Sequence, residues 1–497
     1  MMGKLDLNRR AFLAGLLASS ASPALAFAPD RSPRPGHRTT KAVLAGIGTP
    51  EALIERADLG GTVAFAVADA DSGEILESHN VNVMLPPAST TKAITTLYAL
   101  DTLGADHRFR TEISVTGPLV NGRLEGDLYL VGGGDPTLDT DALATLASRL
   151  KEAGLREISG RAYVFAALLP YQRGIDPDQP DHLGYNPSLS GLNLNYNRVF
   201  FEWTRQGSEY LTTMDARAAK HRPRVSMARM EVVDRKAPVF TYQSTMAGDR
   251  WTVAKRALGK KGGRWLPVRR PDLYAGEVFR TMAGAYGIQL PEFQPISRLP
   301  EGRVLAHWDS EELAPILKAM MKYSNNLIAE LTGLGASKAR GKSPKRLAAS
   351  GAHMSDWAFG RGMERSLFVD HSGLGDQSRV SAGEMLHMVL QTGWDSPLRS
   401  LMKEVPLYDK DGKPLKQNEI KIWAKTGTLN FVSALTGYVE TAGGRRLAFS
   451  FLSADIDRRE ALSRAERERP KGARSWNRRS KHLQQQLVER WSAAFGA

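Results

Sequence analysis

Cysteine is absent from the 497 residues, which excludes a disulfide framework and a thiolate zinc site. The ten histidines show no HExxH or other ligand spacing, so neither a metal site nor a cofactor is expected. Asp176, Asp178 and Asp181 in "IDPDQPDH" read as a solvated loop rather than a calcium site. No Gly-Lys-Ser/Thr follows Val131-Gly132-Gly133-Gly134-Asp135, so those glycines make a tight structural turn and not a phosphate loop. Internal repeats and low-complexity tracts are lacking. So is any later run of about twenty apolar residues, which leaves a mature chain expected to be soluble.

Nucleic-acid motifs are lacking as well. The formal net charge is +14, but the excess is spread along the chain and is densest over residues 457–482, with no helix-turn-helix, zinc-finger or RNP pattern. The charge therefore argues for weak association with an anionic membrane or wall surface, and no nucleic acid is expected as a partner. What is present is globular in kind: 42% hydrophobic and 24% charged residues, in a chain long enough for two or three domains.

The first residues carry a basic front (Lys4, Arg9, Arg10), an apolar stretch from Ala11 to about Leu17, and Ala24-Leu25-Ala26. That order predicts a secretory signal over 1–26, cut after Ala26, and hence export to the periplasm. Arg9-Arg10-Ala11-Phe12-Leu13 also resembles a twin-arginine signal, with Asn8 where Ser or Thr is more usual. Residues 27–40 are rich in proline and charge and read as a flexible leader.

Apolar and polar residues then alternate on both sides of Asp71-Ser72-Gly73, predicting a β-hairpin. Pro86-Pro87 stops extended structure, and a helix opens at Ala88-Ser89 with Ala93, Leu97, Leu100 and Leu103 along its buried face. Short strand-like pieces fill 106–304. Helical periodicity returns near 309, with Asp309 or Ser310 as N-cap. Near the C-terminus "NEIKIWAKTG", "VSALTGYVE" and "RLAFSFLSA" read as neighbouring antiparallel strands, and a polar helix from roughly 458 to 495 closes the chain. The expected fold is α/β (α+β): a catalytic domain split into 41–105 and 305–497, around a β-rich insert of one or two subdomains at 106–304.

Three short stretches carry chemistry. Ser89-Thr90-Thr91-Lys92 puts a hydroxyl and an amine on one helical face. A serine needs a neighbour to take its proton, and a desolvated lysine near positive charge can do so. The pattern alone is weak, since Ser400-Leu401-Met402-Lys403 also fits; that copy lacks the strand-to-helix context and reads as surface. Ser324-Asn325-Asn326 interrupts a helical region and can turn a hydroxyl and an amide into a cleft, or bond locally as Ser and Asn often do. Lys425-Thr426-Gly427-Thr428 ends an alternating strand, where Gly427 lets backbone approach a ligand and the Lys and Thr side chains are expected to point together into the site.

This ordered set resembles that of the penicillin-binding proteins and serine β-lactamases. The 235-residue gap between Ser89 and Ser324 narrows the likeness to the S13-type D-alanyl-D-alanine carboxypeptidases, class C low-molecular-mass penicillin-binding proteins. "GDLYLVGGGDPTL", "SLSGLNLNYNRV", "DHSGLGDQSRVSAGEML" and "KTGTLNFVSALTGYVE" resemble that family too, so the likeness runs from about 45 to 455. It implies a penicillin-binding, transpeptidase-like serine hydrolase fold and cleavage at D-alanine in peptidoglycan stem peptides through an acyl-enzyme. β-Lactam antibiotics would be covalent inhibitors. In that scheme Ser89 is the nucleophile and Lys92 its base, with the backbone N–H groups of Ser89 and Thr428 facing the oxyanion. Ser324 and Lys425 relay a proton, Asn326 binds a peptide amide, and Lys425, Thr426, Gly427 and Thr428 bind the terminal carboxylate.

Two departures stand out. The family's acidic residue after a strand like "ISGRAYVF" is missing from Val164-Phe165-Ala166-Ala167, and its "DGSGLS" reads Asp370-His371-Ser372-Gly373-Leu374-Gly375. The alternatives are a β-lactamase or esterase built on the same motifs, and a non-catalytic wall-binding scaffold.

Overall fold

The structure is a computed structural model that describes residues 46–245, 248–409, 411–415 and 418–496. The expected signal and leader lie outside the described residues, and the fold belongs to the compact unit that begins at Ile47.

The hairpin forms as the alternation predicts, with β1 (Thr62–Asp69) antiparallel to β2 (Ile75–His79). Asp69 closes its turn: the carboxylate accepts the N–H groups of Asp71 and Ser72 at 3.0 and 2.8 Å and pairs with Arg445 at 2.7 Å. The later strands are β3 (Lys403–Glu404), β4 (Lys421–Leu429), β5 (Val432–Glu440) and β6 (Arg446–Ala454). All six join in one sheet, ordered β3-β4-β5-β6-β1-β2. β1 lies against β6 from Thr62 opposite Ala454 to Asp69 opposite Leu447, so the two ends of the described chain share one sheet.

Side chains alternate across this sheet between two different cores. Val63, Phe65, Val67, Phe449 and Phe451 face helix α1 (Pro50–Ala57) and the C-terminal α7 (Ala473–Phe495), packing with Leu53, Trp476 and Trp491. Ala64, Ala66, Ala68 and Ala448 face the opposite way. Those small residues let a helical layer approach closely: α2 (Thr91–Leu103), α3 (Leu313–Tyr323), α4 (Asn326–Ala339), α5 (Leu347–Phe359) and α6 (Ala382–Thr392). α2 runs through the middle of that layer. It is buried on nearly all sides, including Thr91, Lys92, Thr95, Thr96 and Tyr98, and not only along the stripe expected from Ala93 to Leu103.

Between α2 and α3 the chain builds a separate hydrophobic core from residues such as Ile113, Leu130, Leu143, Val164, Phe201, Trp251 and Phe279. A five-stranded mixed sheet (Arg110–Val115, Leu128–Val131, Ala162–Phe165, Phe293–Ile296, Arg303–Asp309) is its largest element. Three three-stranded sheets accompany it. Two helices not expected from the strand-like texture, Thr140–Glu152 and Pro271–Ala285, pack there, opened by Asp139 as N-cap and by Pro271 at N1.

Two helix boundaries differ from expectation. Asp309 ends a strand and Ser310 accepts the Phe109 N–H at 3.0 Å, so α3 starts only after Glu312. The terminal helix is broken into Ile456–Glu460, one turn at Glu466–Glu468, and α7. Pro470 supplies no N–H and Gly472 is left-handed (φ 84°), which together stop a continuous helix.

Candidate active site

Ser89 sits in a single 3-10 turn, Ala88–Thr90, between the double proline and α2. Ala88 holds φ 46°, a strained value for a residue with a Cβ. One turn on, the buried Lys92 donates to Ser89 Oγ at 3.0 Å, Asn326 Oδ1 at 2.7 Å and the Ser372 carbonyl at 2.8 Å. An ammonium has three protons, and here each meets an acceptor. The amide of Asn326 is oriented by the same chemistry: its oxygen faces the donating lysine, while its Nδ2 donates to the Tyr185 carbonyl at 2.8 Å. Both of its polar ends are thus engaged within the protein, tying Lys92 to the loop that carries Tyr185.

Burial pulls the Lys92 pKa down to about 8, against the opposing pull of Glu330 and Asp370. Glu330, one helical turn beyond Asn326 on α4, accepts the N–H groups of His371 and Ser372, both at 2.9 Å. Asp370 accepts those of Gly373 and Gly375 at 2.7 and 2.6 Å. These two buried carboxylates fold the 370–375 loop so that the Ser372 carbonyl meets Lys92. Burial, then Asp370, pushes Glu330 up to about 8, and burial raises Asp370. Gly373 presses on the turn of Ser89: at φ 74°, a Cβ there would stand 1.8 Å from the Ala88 carbonyl oxygen.

The second pair lies across the cleft. Ser324 joins α3 to α4 in a left-handed conformation (φ 55°), and Asn325 caps α4 by accepting the Ile328 N–H at 3.1 Å. Lys425 Nζ donates to Ser324 Oγ at 3.0 Å and to the Thr426 carbonyl at 2.6 Å. Burial first, then the charges of Lys92 and Lys403, hold Lys425 well below the usual lysine range. The same physics therefore applies at both lysines: an amine sunk in protein gives up its proton more readily than one in water.

Ser89, Lys92, Ser324, Asn326 and Lys425 are thus brought together, but the strand ending Lys425-Thr426-Gly427-Thr428 differs in detail from expectation. β4 pairs with β5 in unbroken register, so alternation puts Lys425 and Gly427 on one face and Thr426 and Thr428 on the other. Gly427 faces the nucleophile's turn, where an added Cβ would stand 2.9 Å from the Pro87 carbonyl oxygen. Thr428 is exposed and Thr426 half-buried. β3 meets β4 only at Trp423 and Ala424, so the outer edge of β4 is free of strand pairing from Lys425 onward and can take an extended chain.

The second serine-lysine copy does not form a pair: Ser400 is exposed and donates to the Pro397 carbonyl. Lys403 is not plain surface, however. It is half-buried at the start of β3 and lines a cavity of about 210 Å³ with Thr426 and Lys481. The aspartates of "IDPDQPDH" are not freely solvated either. Asp176 is buried and accepts from Gln179 at 2.8 Å, and Asp181 pairs with Arg173 at 2.8 Å. Among the described residues no group of three or more His, Asp or Glu side chains is arranged to hold a metal.

Glu330 and Tyr185 lie outside the motifs legible in the sequence, and Asp370 and Ser372 stand in the family-like "DHSGLG" stretch without a role assigned there. Glu330 left one signal: an acid inside the apolar run "NLIAEL", four residues after Asn326, where a solvated carboxylate would be out of place. The other three are joined to the site only by folding.

The sequence matches the D-Ala-D-Ala carboxypeptidase 3 (S13) family over residues 50–470. It is 28% identical to a D-alanyl-D-alanine carboxypeptidase of Actinomadura sp., over 81% of this chain and 80% of that protein. With the D-alanyl-D-alanine carboxypeptidase DacB of Haemophilus influenzae it shares 24% identity, over 80% and 86% of the two chains. The crystal structure of penicillin binding protein 4 (dacB) from H. influenzae superimposes with a TM-score of 0.69 at 20% identity, covering 88% of this chain and 99% of that one. The fold is therefore that of penicillin binding protein 4. With the serine-lysine pair, the Ser-x-Asn turn and the Lys-Thr-Gly strand gathered around one cleft, the chain belongs to the D-Ala-D-Ala carboxypeptidase 3 (S13) family.

Proposed function

We infer that this protein is an exported serine DD-peptidase that cleaves at D-alanine in peptidoglycan stem peptides and is acylated by β-lactams. The observation that carries the reading is the 3.0 Å contact between Ser89 Oγ and a buried Lys92. Both the Actinomadura and H. influenzae relatives are named D-alanyl-D-alanine carboxypeptidases, and a second crystal structure of the H. influenzae protein holds a β-lactam. No helix among the described residues is long and apolar enough to cross a membrane.

In this scheme Ser89 Oγ attacks the carbonyl carbon of the penultimate D-Ala while its proton passes to neutral Lys92. The tetrahedral oxyanion is met by the backbone N–H groups of Ser89 and Thr428, donors fixed before the charge develops. The C–N bond then breaks. The proton held by Lys92 passes through Ser324, which Lys425 contacts, to the departing D-Ala amine, which restores neutral Lys92 and leaves an ester on Ser89. Water attacks that ester, with Lys92 again as base, and frees the shortened peptide. The unpaired edge of β4 suits an extended substrate, whose terminal carboxylate is met by the hydroxyls of Thr426 and Thr428, while Lys425 stays with Ser324 on the other face. Residues 41–105 with 305–497 would form the catalytic part and 106–304 the insert, whose main core is distinct from the two that flank the six-stranded sheet.

Fluorescent penicillin is the direct test. Wild-type protein should label covalently and release D-Ala from a D-Ala-D-Ala peptide. Ser89→Ala should not label, and Lys92→Ala should acylate about 10³-fold more slowly or worse. Labelling of Ser89→Ala at the wild-type rate would end the nucleophile assignment.

A further inference from the structure

On the insert side of the cleft lies a cavity of about 350 Å³, reached past Ser324 and Asn326 and walled by Tyr185, Tyr196, Tyr323 and Arg198. None of the catalytic steps uses its far wall, yet that wall is built at a cost. Asn195, Tyr196 and Asn197 are three successive non-glycine residues in the left-handed region, at φ 51°, 58° and 52°. Each such residue is strained, and strain of this kind persists only where the surroundings impose it. Here buried amides do so: Asn195 Nδ2 donates to Thr140 Oγ1 at 2.9 Å, and Asn197 Nδ2 to the Ser188 carbonyl at 2.9 Å and Asn193 Oδ1 at 2.7 Å. The turn delivers Tyr196, and immediately after it Arg198, to the cavity.

Arg198 is the unusual member. Its guanidinium is held between aromatic faces, 5.2 Å from the centre of the Tyr196 ring and 5.4 Å from that of Trp265. Its Nε is sealed from solvent without a hydrogen-bond partner. Among the described residues no carboxylate pairs with it; the groups that favour its charge are the phenols of Tyr196 and Tyr274, which are uncharged at neutral pH. An arginine stays protonated in proteins, and a largely buried cation without an anion is costly. Two other strongly buried arginines have polar partners: Arg269 donates to three backbone carbonyls and Arg467 pairs with Asp376. Arg198 has aromatic support and an unfilled demand for an anion.

We propose that Arg198 anchors a second carboxylate subsite, separate from the Lys425–Thr428 strand, which takes a free carboxylate carried by the substrate peptide upstream of its terminal D-Ala-D-Ala. The planar fork of a guanidinium suits a carboxylate, while Tyr185, Tyr196 and Tyr323 shield the pair from water. This deepens the DD-peptidase reading and rests on it for the nature of the ligand. The Tyr185 carbonyl that accepts from Asn326 links the wall of this subsite to the Lys92 cluster.

The test uses two peptides ending in D-Ala-D-Ala, one with free carboxylates on the preceding residues and one with the corresponding carboxamides. D-Ala release is measured for wild-type, Arg198→Gln and Arg198→Lys proteins. Calorimetric binding of both peptides is measured in a Ser89→Ala background with and without Arg198→Gln. The wild type should prefer the carboxylate peptide by about 10- to 100-fold in kcat/KM, chiefly through KM, as expected for hydrogen bonds to a charged group. Arg198→Gln should abolish the preference, and Arg198→Lys should restore part of it. A wild type indifferent to the carboxylate, or an Arg198→Gln variant that loses both peptides equally, overturns the subsite. If neither peptide is cleaved and penicillin does not label, the DD-peptidase reading fails. The calorimetric preference then decides the subsite by itself.

Discussion

The pH dependence of acylation offers the sharpest check on the serine-lysine pair. Only neutral Lys92 can accept the Ser89 proton, so the acylation rate should follow the fraction of that lysine without its own proton. Burial pulls its pKa to about 8; at that value about one-tenth is neutral at pH 7 and half at pH 8. An ordinary lysine at 10.5 would be neutral in only about 3 molecules per 10⁴ at pH 7. Second-order acylation by fluorescent penicillin, followed by rapid quench, should therefore rise about ninefold from pH 6 to 7 and about fivefold from 7 to 8, then flatten by pH 9. The direction is fixed by the sign of the shift: a depressed lysine pKa moves the rise down into the neutral range. Lys425→Met should lower the plateau by about 10²-fold or more without moving the midpoint, since Lys425 serves the leaving group and is not the first base. A rate that stays level from pH 6 to 8, or a midpoint near that of a free lysine, would refute the assignment of Lys92.

Gly373→Ala would force a Cβ to within 1.8 Å of the Ala88 carbonyl at a left-handed backbone position. Urea unfolding should show a loss of about 3 kcal/mol or more, with acylation falling as the nucleophile's turn is displaced; wild-type stability would contradict this contact. Asp69→Ala should cost about 1–2 kcal/mol by removing the bonds that close the first hairpin. The N–H of Ser72, followed by Arg445, holds the Asp69 carboxyl down to about 2 from 3.8. Its stabilisation is thus complete above about pH 4 and lost as pH falls through 2. Wild type and variant should accordingly converge in acid, as melting temperatures measured from pH 2 to 6 would show.

Much of the catalytic half is legible in the chain because it depends on local periodicity and on short motifs. The alternation around Asp71-Ser72-Gly73 and the strands Lys421–Leu429 and Arg446–Ala454 follow from side chains that must face either of two cores. Ser89 and Lys92 are neighbours by helical geometry alone. Where reading failed, the deciding term was a boundary or a partner from far away. Ser310 fits an N-cap pattern, but its hydroxyl is taken by the Phe109 backbone, a residue distant in sequence. The closing helix fits a polar repeat, but Pro470 and Gly472 outweigh it.

The sequence by itself determined which chemistry this protein could hold: a hydroxyl and an amine one turn apart, a Ser-x-Asn break, and a Lys-Thr-Gly strand end. Only the tertiary structure decided that the amine is buried, and with it the proton affinity that makes it a base. That property comes from desolvation and from Glu330, Asp370, Asn326 and the Ser372 carbonyl, groups contributed by segments far along the chain. Local pattern fixes which residues lie one turn apart, whereas electrostatics in a low-dielectric interior depends on everything that surrounds them.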